Sequence, residues 1–212
     1  MPLAPSRRRA AVGRAAGAAV TTLGLTLLSG CSGGAPRAAP STAPPTPIAQ
    51  LNTAQLELHR IPFCDLLPRQ SVTEALAGGA TDRSSWRDGD TTSLVGGSGD
   101  RAQELGCRFS AGSSAAAAWV FASPVEPAFA RQVVRDSSRQ QGCRNEPGAT
   151  FGQASELQTC RLPGGVVRVR HAGLFGQTWL TCQVSAAAPV QQVTRRADAW
   201  CVLVANTLNS SR

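Results

Sequence analysis

Seven cysteines and two histidines are the residues of this chain best suited to chemistry. Cys64, Cys107, Cys143, Cys160, Cys182 and Cys201 form an even set once Cys31 is set aside, and no two of them stand as a CxxC pair. Thiol-redox and zinc sites favour that close spacing, with His nearby for the metal. Widely spaced, even-numbered cysteines instead read as structural disulfides in a protein outside the cytoplasm. Neighbours in sequence would pair Cys64 with Cys107, Cys143 with Cys160, and Cys182 with Cys201. The last bridge would pin the closing helix to the strand before it. Each would contribute about 2–4 kcal/mol by restricting the unfolded chain.

His59 and His171 offer little for nucleophilic catalysis. A triad needs an oriented His beside its nucleophile, and the chain has no G-x-S-x-G elbow. Gly97-Ser98-Gly99-Asp100 reads as a turn, and His171 as a solvated or locally bonded side chain at a strand end. Asp82, Asp88, Asp90 and Asp100 crowd one stretch without the Asp-x-Asp-x-Asp-Gly spacing of a calcium loop. No cofactor or metal is expected, and no catalytic residue. The competing reading is an envelope hydrolase or a thiol-redox enzyme.

One surface has recognition chemistry. Arg168 and Arg170 alternate on a predicted strand, and Trp179, Thr181 and Gln183 alternate on the next. Side chains two apart share a strand face, so the two sets would form a polar-aromatic patch for an anionic or glycan partner, with Arg over Trp. Trp86, alone in a Gly/Ser/Asp/Thr-rich loop over 79–99, is a second candidate. The structural alternative for both is a solvated sheet face and a mobile loop.

The N-terminus decides where these residues operate. Arg7, Arg8, Arg9 and Arg14 form a basic leader, followed by an uncharged run over 15–30. That run is short for a membrane span of about 20 residues and fits an export signal. It closes in Leu28-Ser29-Gly30-Cys31, small residues before a Cys, as in a bacterial lipobox. Residues 1–30 are therefore expected to be removed and Cys31 to carry fatty chains, mooring the protein on the extracytoplasmic face of the cell membrane. Ser6-Arg7-Arg8-Arg9 leaves the general and twin-arginine export routes open.

Residues 31–50, rich in Pro, Ala, Thr and Ser, cannot bury enough apolar surface to order themselves and read as a tether. Residues 51–212 leave about 160 residues for one globular domain. The formal charge of +8 is inflated by the leader, so the domain itself does not read as a nucleic-acid binder. All the basic residues are Arg.

Within the domain, 51–63 alternates enough for an edge strand. Pro68, with Val72, Ala75 and Leu76, gives a short helix ending at Gly78-Gly79. A strand begins around Gly106-Cys107-Arg108-Phe109, and 115–122 forms a second, apolar on both faces. Ser123-Pro124-Val125-Glu126 has the N-cap, proline and Glu of a helix start, predicting a helix over 124–141 with Val125, Phe129 and Val133 on its apolar stripe. A polar turn at Asn145-Glu146-Pro147-Gly148 precedes strands near 155–161, 165–171 and 177–185, and a helix over 189–208 closes the chain. Helix, two strands, helix, three strands, helix is an α+β order: an antiparallel sheet of about five strands with helices packed on it, stapled by disulfides.

Cys31, the tether, Cys64-Asp65-Leu66-Leu67-Pro68, Gly106-Cys107-Arg108-Phe109 and Ala199-Trp200-Cys201 together resemble a family of actinobacterial cell-envelope lipoproteins classed as a domain of unknown function. The resemblance spans most of the chain through short motifs, and Phe109 stands where such proteins often have Trp. It implies a Cys64–Cys107 pairing and an envelope location, and transfers no catalytic residue. The sequence thus leads to a lipid-anchored binding, sensor or accessory module, acting on a small ligand, cell-wall glycan or envelope protein partner.

Overall fold

The computed structural model describes residues 47–92, 100–147 and 151–210. The leader, Cys31, most of the tether and Gly97-Ser98-Gly99 lie outside them. Ile48, within the stretch read as tether, begins a 3-10 turn, Ile48–Gln50, and is buried in the core. A second 3-10 turn, Thr53–Gln55, and irregular chain replace the strand expected over 51–63.

The elements that follow are α1 (Arg69–Leu76), β1 (Asp82–Trp86), β2 (Thr91–Thr92), β3 (Asp100–Arg101), β4 (Glu104–Ala111), β5 (Ser114–Phe121), α2 (Pro127–Ser137), β6 (Cys143–Glu146), β7 (Gln153–Arg161), β8 (Val167–Phe175), β9 (Thr178–Ala186) and α3 (Val190–Ser210). Seven strands form one antiparallel sheet in the order β1-β4-β5-β9-β8-β7-β6, and β2 and β3 form a separate two-stranded ribbon. The α+β class holds. The two strands beyond the expected five, β1 and β6, are the edges of the sheet, and each is short. β1 arises inside the expected 79–99 loop, and β6 where a polar turn was expected.

The front of the sheet is packed by α1 and α3. Ala116, Ala118 and Val120 of β5, Cys182 and Val184 of β9, and Val169 of β8 are fully buried there. The small side chains of β5 let α3 approach closely: Trp200 Nε1 donates to Ala117 O at 3.0 Å, and the Trp200 ring meets Phe109 edge-on with centroids 6.1 Å apart. The apolar stripe of α3 begins at the partly buried Val190 and runs through Val193, Ala197, Trp200, Cys201, Val204 and Leu208, all buried. The Cys182–Cys201 bridge joins β9 to α3, and Cys143–Cys160 joins directly paired residues of β6 and β7.

Helix α2 covers part of the back, packing on β7 and β8 over a second core of Val125, Ala130, Ala172, Leu174 and Trp179. It starts three residues later than expected. Val125 N–H donates to Gln177 O at 2.8 Å, which ties this segment to the β8–β9 hairpin. Glu126 stays extended because it precedes Pro127, and Pro127 opens the helix. Gly173, expected in a turn, lies inside β8; the hairpin turns at Gly176-Gln177, where Gly176 adopts φ +60°.

Candidate functional site

Two polar features sit on the back of the sheet. The first is a cavity of about 670 Å³ at the end where β4 begins, β5 ends and α2 starts. Its floor is the first residue pair of the β4–β5 ladder, Glu104 opposite Phe121. Its far wall is Phe129 in the first turn of α2, 54% exposed, with its ring centroid 6.4 Å from that of Phe121 at an interplanar angle of 49°. Arg101, Gln103, Ser123 and Glu126 complete the polar rim. The rim is held by backbone bonds from both sides: Ala122 N–H to Gln103 O at 2.9 Å, and Ala102 N–H to Asp90 O at 2.8 Å. Burial, with the nearby charge of Asp88, raises the Glu104 carboxyl above the usual range, against a hydrogen bond from the Gln103 backbone. An aromatic pair, one carboxyl inclined to hold its proton and a volume suited to a small organic molecule make this the candidate site.

Sequence periodicity missed this site. It placed Phe129 on a buried stripe with Val125, but Val125 lies before the helix and packs on the hairpin, leaving Phe129 outward. The signal was the Pro124/Pro127 pair, which allows extended chain between the two prolines.

The second feature contains the predicted Arg residues. Arg168 and Arg170 do share the back face with Trp179, Thr181 and Gln183, with Arg170 directly opposite Gln183. The expected stacking of Arg on Trp is not there. Trp179 is 1% exposed beneath α2, and its Nε1 donates to Thr181 Oγ1 at 3.1 Å, so it belongs to the second core. Trp86 is also closed off: it ends β1 and packs over Gly106, which stands between it and Trp119 in the sheet.

Arg170 Nη2 lies 2.7 Å from Glu156 Oε1, a close ion pair whose alignment falls short of a hydrogen bond. Glu156 Oε2 also accepts from Ser137 Oγ at the end of α2. Gln158 donates to Ser137 O at 2.8 Å. Arg168 Nη2 meets Gln140 Oε1 at 3.2 Å and the bridge sulfurs of Cys160 at 3.1 Å and Cys143 at 3.6 Å. Burial, then the neighbouring Arg170, lowers the Arg168 guanidinium below its ordinary value.

Other expected sites resolve differently. His171 lies in the middle of β8, fully buried in the front core, with Nε2 2.8 Å from Asp198 Oδ1 on α3. It is neither solvated nor at a strand end, and its Nδ1 finds no partner. Cys64 and Cys107, the pair implied by the family resemblance, carry free thiols, buried side by side. A hydrogen bond between them, from Cys107 to Cys64, is the first cause that lowers Cys64 and raises Cys107. Arg83, 2.5 Å from Asp65, adds its charge to the pair. Among the described residues no three His, Cys, Asp or Glu side chains gather to hold a metal ion.

The chain is an α+β domain with a cavity of aromatic and acidic lining on one sheet face. No family model matches the chain, and no curated protein does. A solved structure, the extracellular domain of PknH from Mycobacterium tuberculosis, is similar over 72% of this chain and 98% of its own, at 13% identity and a TM-score of 0.43. At those values nothing of its role is carried over to this chain.

Proposed function

We propose that this protein is a non-catalytic binding module, moored by acylated Cys31 on the extracytoplasmic face of a cell membrane, and that its ligand is a small organic molecule with an apolar body. The observation that carries this reading is the Phe121/Phe129 cavity, whose outer wall is a large aromatic side chain left exposed. A ligand seated against Phe121 and Phe129 would cover apolar surface that solvent now meets. The two bridges and the leader support an oxidising compartment. The resemblance to envelope lipoproteins agrees with that location.

The test uses N-phenyl-1-naphthylamine, a neutral fluorescent amphiphile, with the full-length protein in detergent below the dye's own partitioning range. Saturable enhancement that Phe129→Ala weakens roughly tenfold, as expected for losing one aromatic wall, supports the cavity. Phe129 is exposed, so this variant keeps the fold. Enhancement that is not saturable, or that the variant leaves unchanged, refutes it. For the anchor, mass spectrometry of membrane material is expected to show an N-terminal diacylated Cys31; an intact Met1 overturns the lipid anchor.

A thiol-redox enzyme is the second reading, and the Cys64/Cys107 pair beside Arg83 favours it. Cys107 is fully buried, though, which suits a structural pair better than one that must meet a substrate disulfide.

A further inference from the structure

Glu156 is fully committed, with Oε1 facing Arg170 and Oε2 accepting from Ser137, and its side chain is 1% exposed. Of the two neighbouring guanidinium groups, only Arg170 is paired with this carboxylate. Among the described residues no carboxylate lies within ion-pair reach of Arg168. Its partners are a neutral amide oxygen and two disulfide sulfurs, and sulfur is a weak acceptor. The Nε atoms of both Arg168 and Arg170 are cut off from solvent with no acceptor. Removing a cation from water without a counter-charge is unfavourable, and an Arg fork is shaped to receive two oxygens of a carboxylate or phosphate. Opposite these Arg residues on β9 stand Ser185, paired with Arg168, and Gln183, paired with Arg170, both half-buried and able to donate.

We propose that Arg168 and Arg170, with Ser185 and Gln183 facing them, form a subsite for the carboxylate or phosphate group of a small solute. The solute's oxyanion supplies the charge that the Arg pair lacks. This site is separate from the Phe121/Phe129 cavity, sharing no lining residue with it.

The experiment titrates the full-length protein in detergent with sodium phosphate and with sodium acetate, at constant ionic strength made up with chloride. Saturable binding of either probe is expected, weakened roughly tenfold or more by Arg168→Gln, the effect of losing one charge-assisted contact. Phe129→Ala should leave it unchanged, which separates failure here from failure of the cavity. If Arg168→Gln does not fold, the unmutated protein answers through nitrogen-15 NMR. The Arg168 Nε–H signal should move with phosphate along a saturable curve. Absence of saturable binding, binding that Arg168→Gln does not weaken, or an Arg168 signal that does not respond overturns the proposal.

Discussion

Cys107 and Cys64 face each other as buried thiols, with Arg83 close enough to stabilise negative charge on the pair. They join the chain before α1 to β4, the strand second from the sheet edge. Since Cys64 is lowered, its thiolate forms below the ordinary thiol pH, and a thiolate is the species that attacks in forming a disulfide. Oxidised glutathione should therefore close a third bridge, taking the denatured thiol count of the Cys31-acylated protein from two to none. In the reduced protein, alkylation of Cys64 should begin at lower pH than in Arg83→Gln. A titration curve identical in that variant would remove the role of Arg83, and thiols that persist under oxidant would show that the pair cannot bridge.

Glu104 gives a pH signature to the cavity floor. Its folded-state carboxyl is raised, first by burial, so the folded protein holds this proton more tightly than the unfolded chain does. The sign follows: the stability it contributes is complete below the unfolded Glu value of about 4.3 and is lost as pH rises through the folded value. Glu104→Gln, which fixes a neutral amide in place of the acid, should raise Tm over the wild type near pH 7 and match it near pH 4. A thermal-shift series across that range checks this, and a variant less stable at neutral pH than at pH 4, relative to wild type, would show that the charged form is the favoured one.

Where the chain was legible, the pattern was tied to burial on two sides. β5 read as a covered central strand, with Trp119 and Phe121 on one face and Ala118 and Val120 on the other, and that is its place. α3 read correctly because its apolar stripe has no competing signal. What stayed hidden had a local signal overridden by a distant partner. Val125 looked helical until Gln177, 52 residues on, took its N–H. Trp179 looked available because nothing in sequence shows that α2 folds back over it. His171 looked solvated because its acid, Asp198, lies 27 residues away on another element. Edge strands β1 and β6 are short and mostly polar, with Trp86 and Cys143 their only apolar residues, so alternation had little to mark.

Gly106 is required by Trp86. A Cβ at this position would stand 2.4 Å from Trp86 Cζ2 and 2.7 Å from Trp119 Cβ, and the indole cannot yield without leaving the sheet face. Gly106→Ala is expected to cost about 1–3 kcal/mol, as overpacking does, and to shift Trp fluorescence to the red as Trp86 meets water. Trp86 Nε1 is buried without an acceptor, so the freed indole gains a hydrogen bond from solvent and part of the cost is offset. Urea unfolding with fluorescence detection measures both; unchanged emission and an unchanged midpoint would show that the ring is not held there.

The end of α1 carries strain that one substitution relieves. Ala77 caps the helix in the left-handed region, φ 55° and ψ 37°, with Ala77 N–H bonded to Glu74 O at 3.2 Å and Gly78 N–H to Thr73 O at 3.0 Å. This is the doubled C-terminal closure in which glycine is the usual residue, because a Cβ there crowds the following carbonyl by about 1–2 kcal/mol. Glycine at 77 keeps both hydrogen bonds and removes that crowding, while its extra freedom in the unfolded chain takes some of the gain back. Ala77→Gly should accordingly stabilise the protein by about 0.5–1 kcal/mol, seen as a higher urea midpoint at unchanged slope. A lower midpoint would mean that α1 does not close through a left-handed residue at 77.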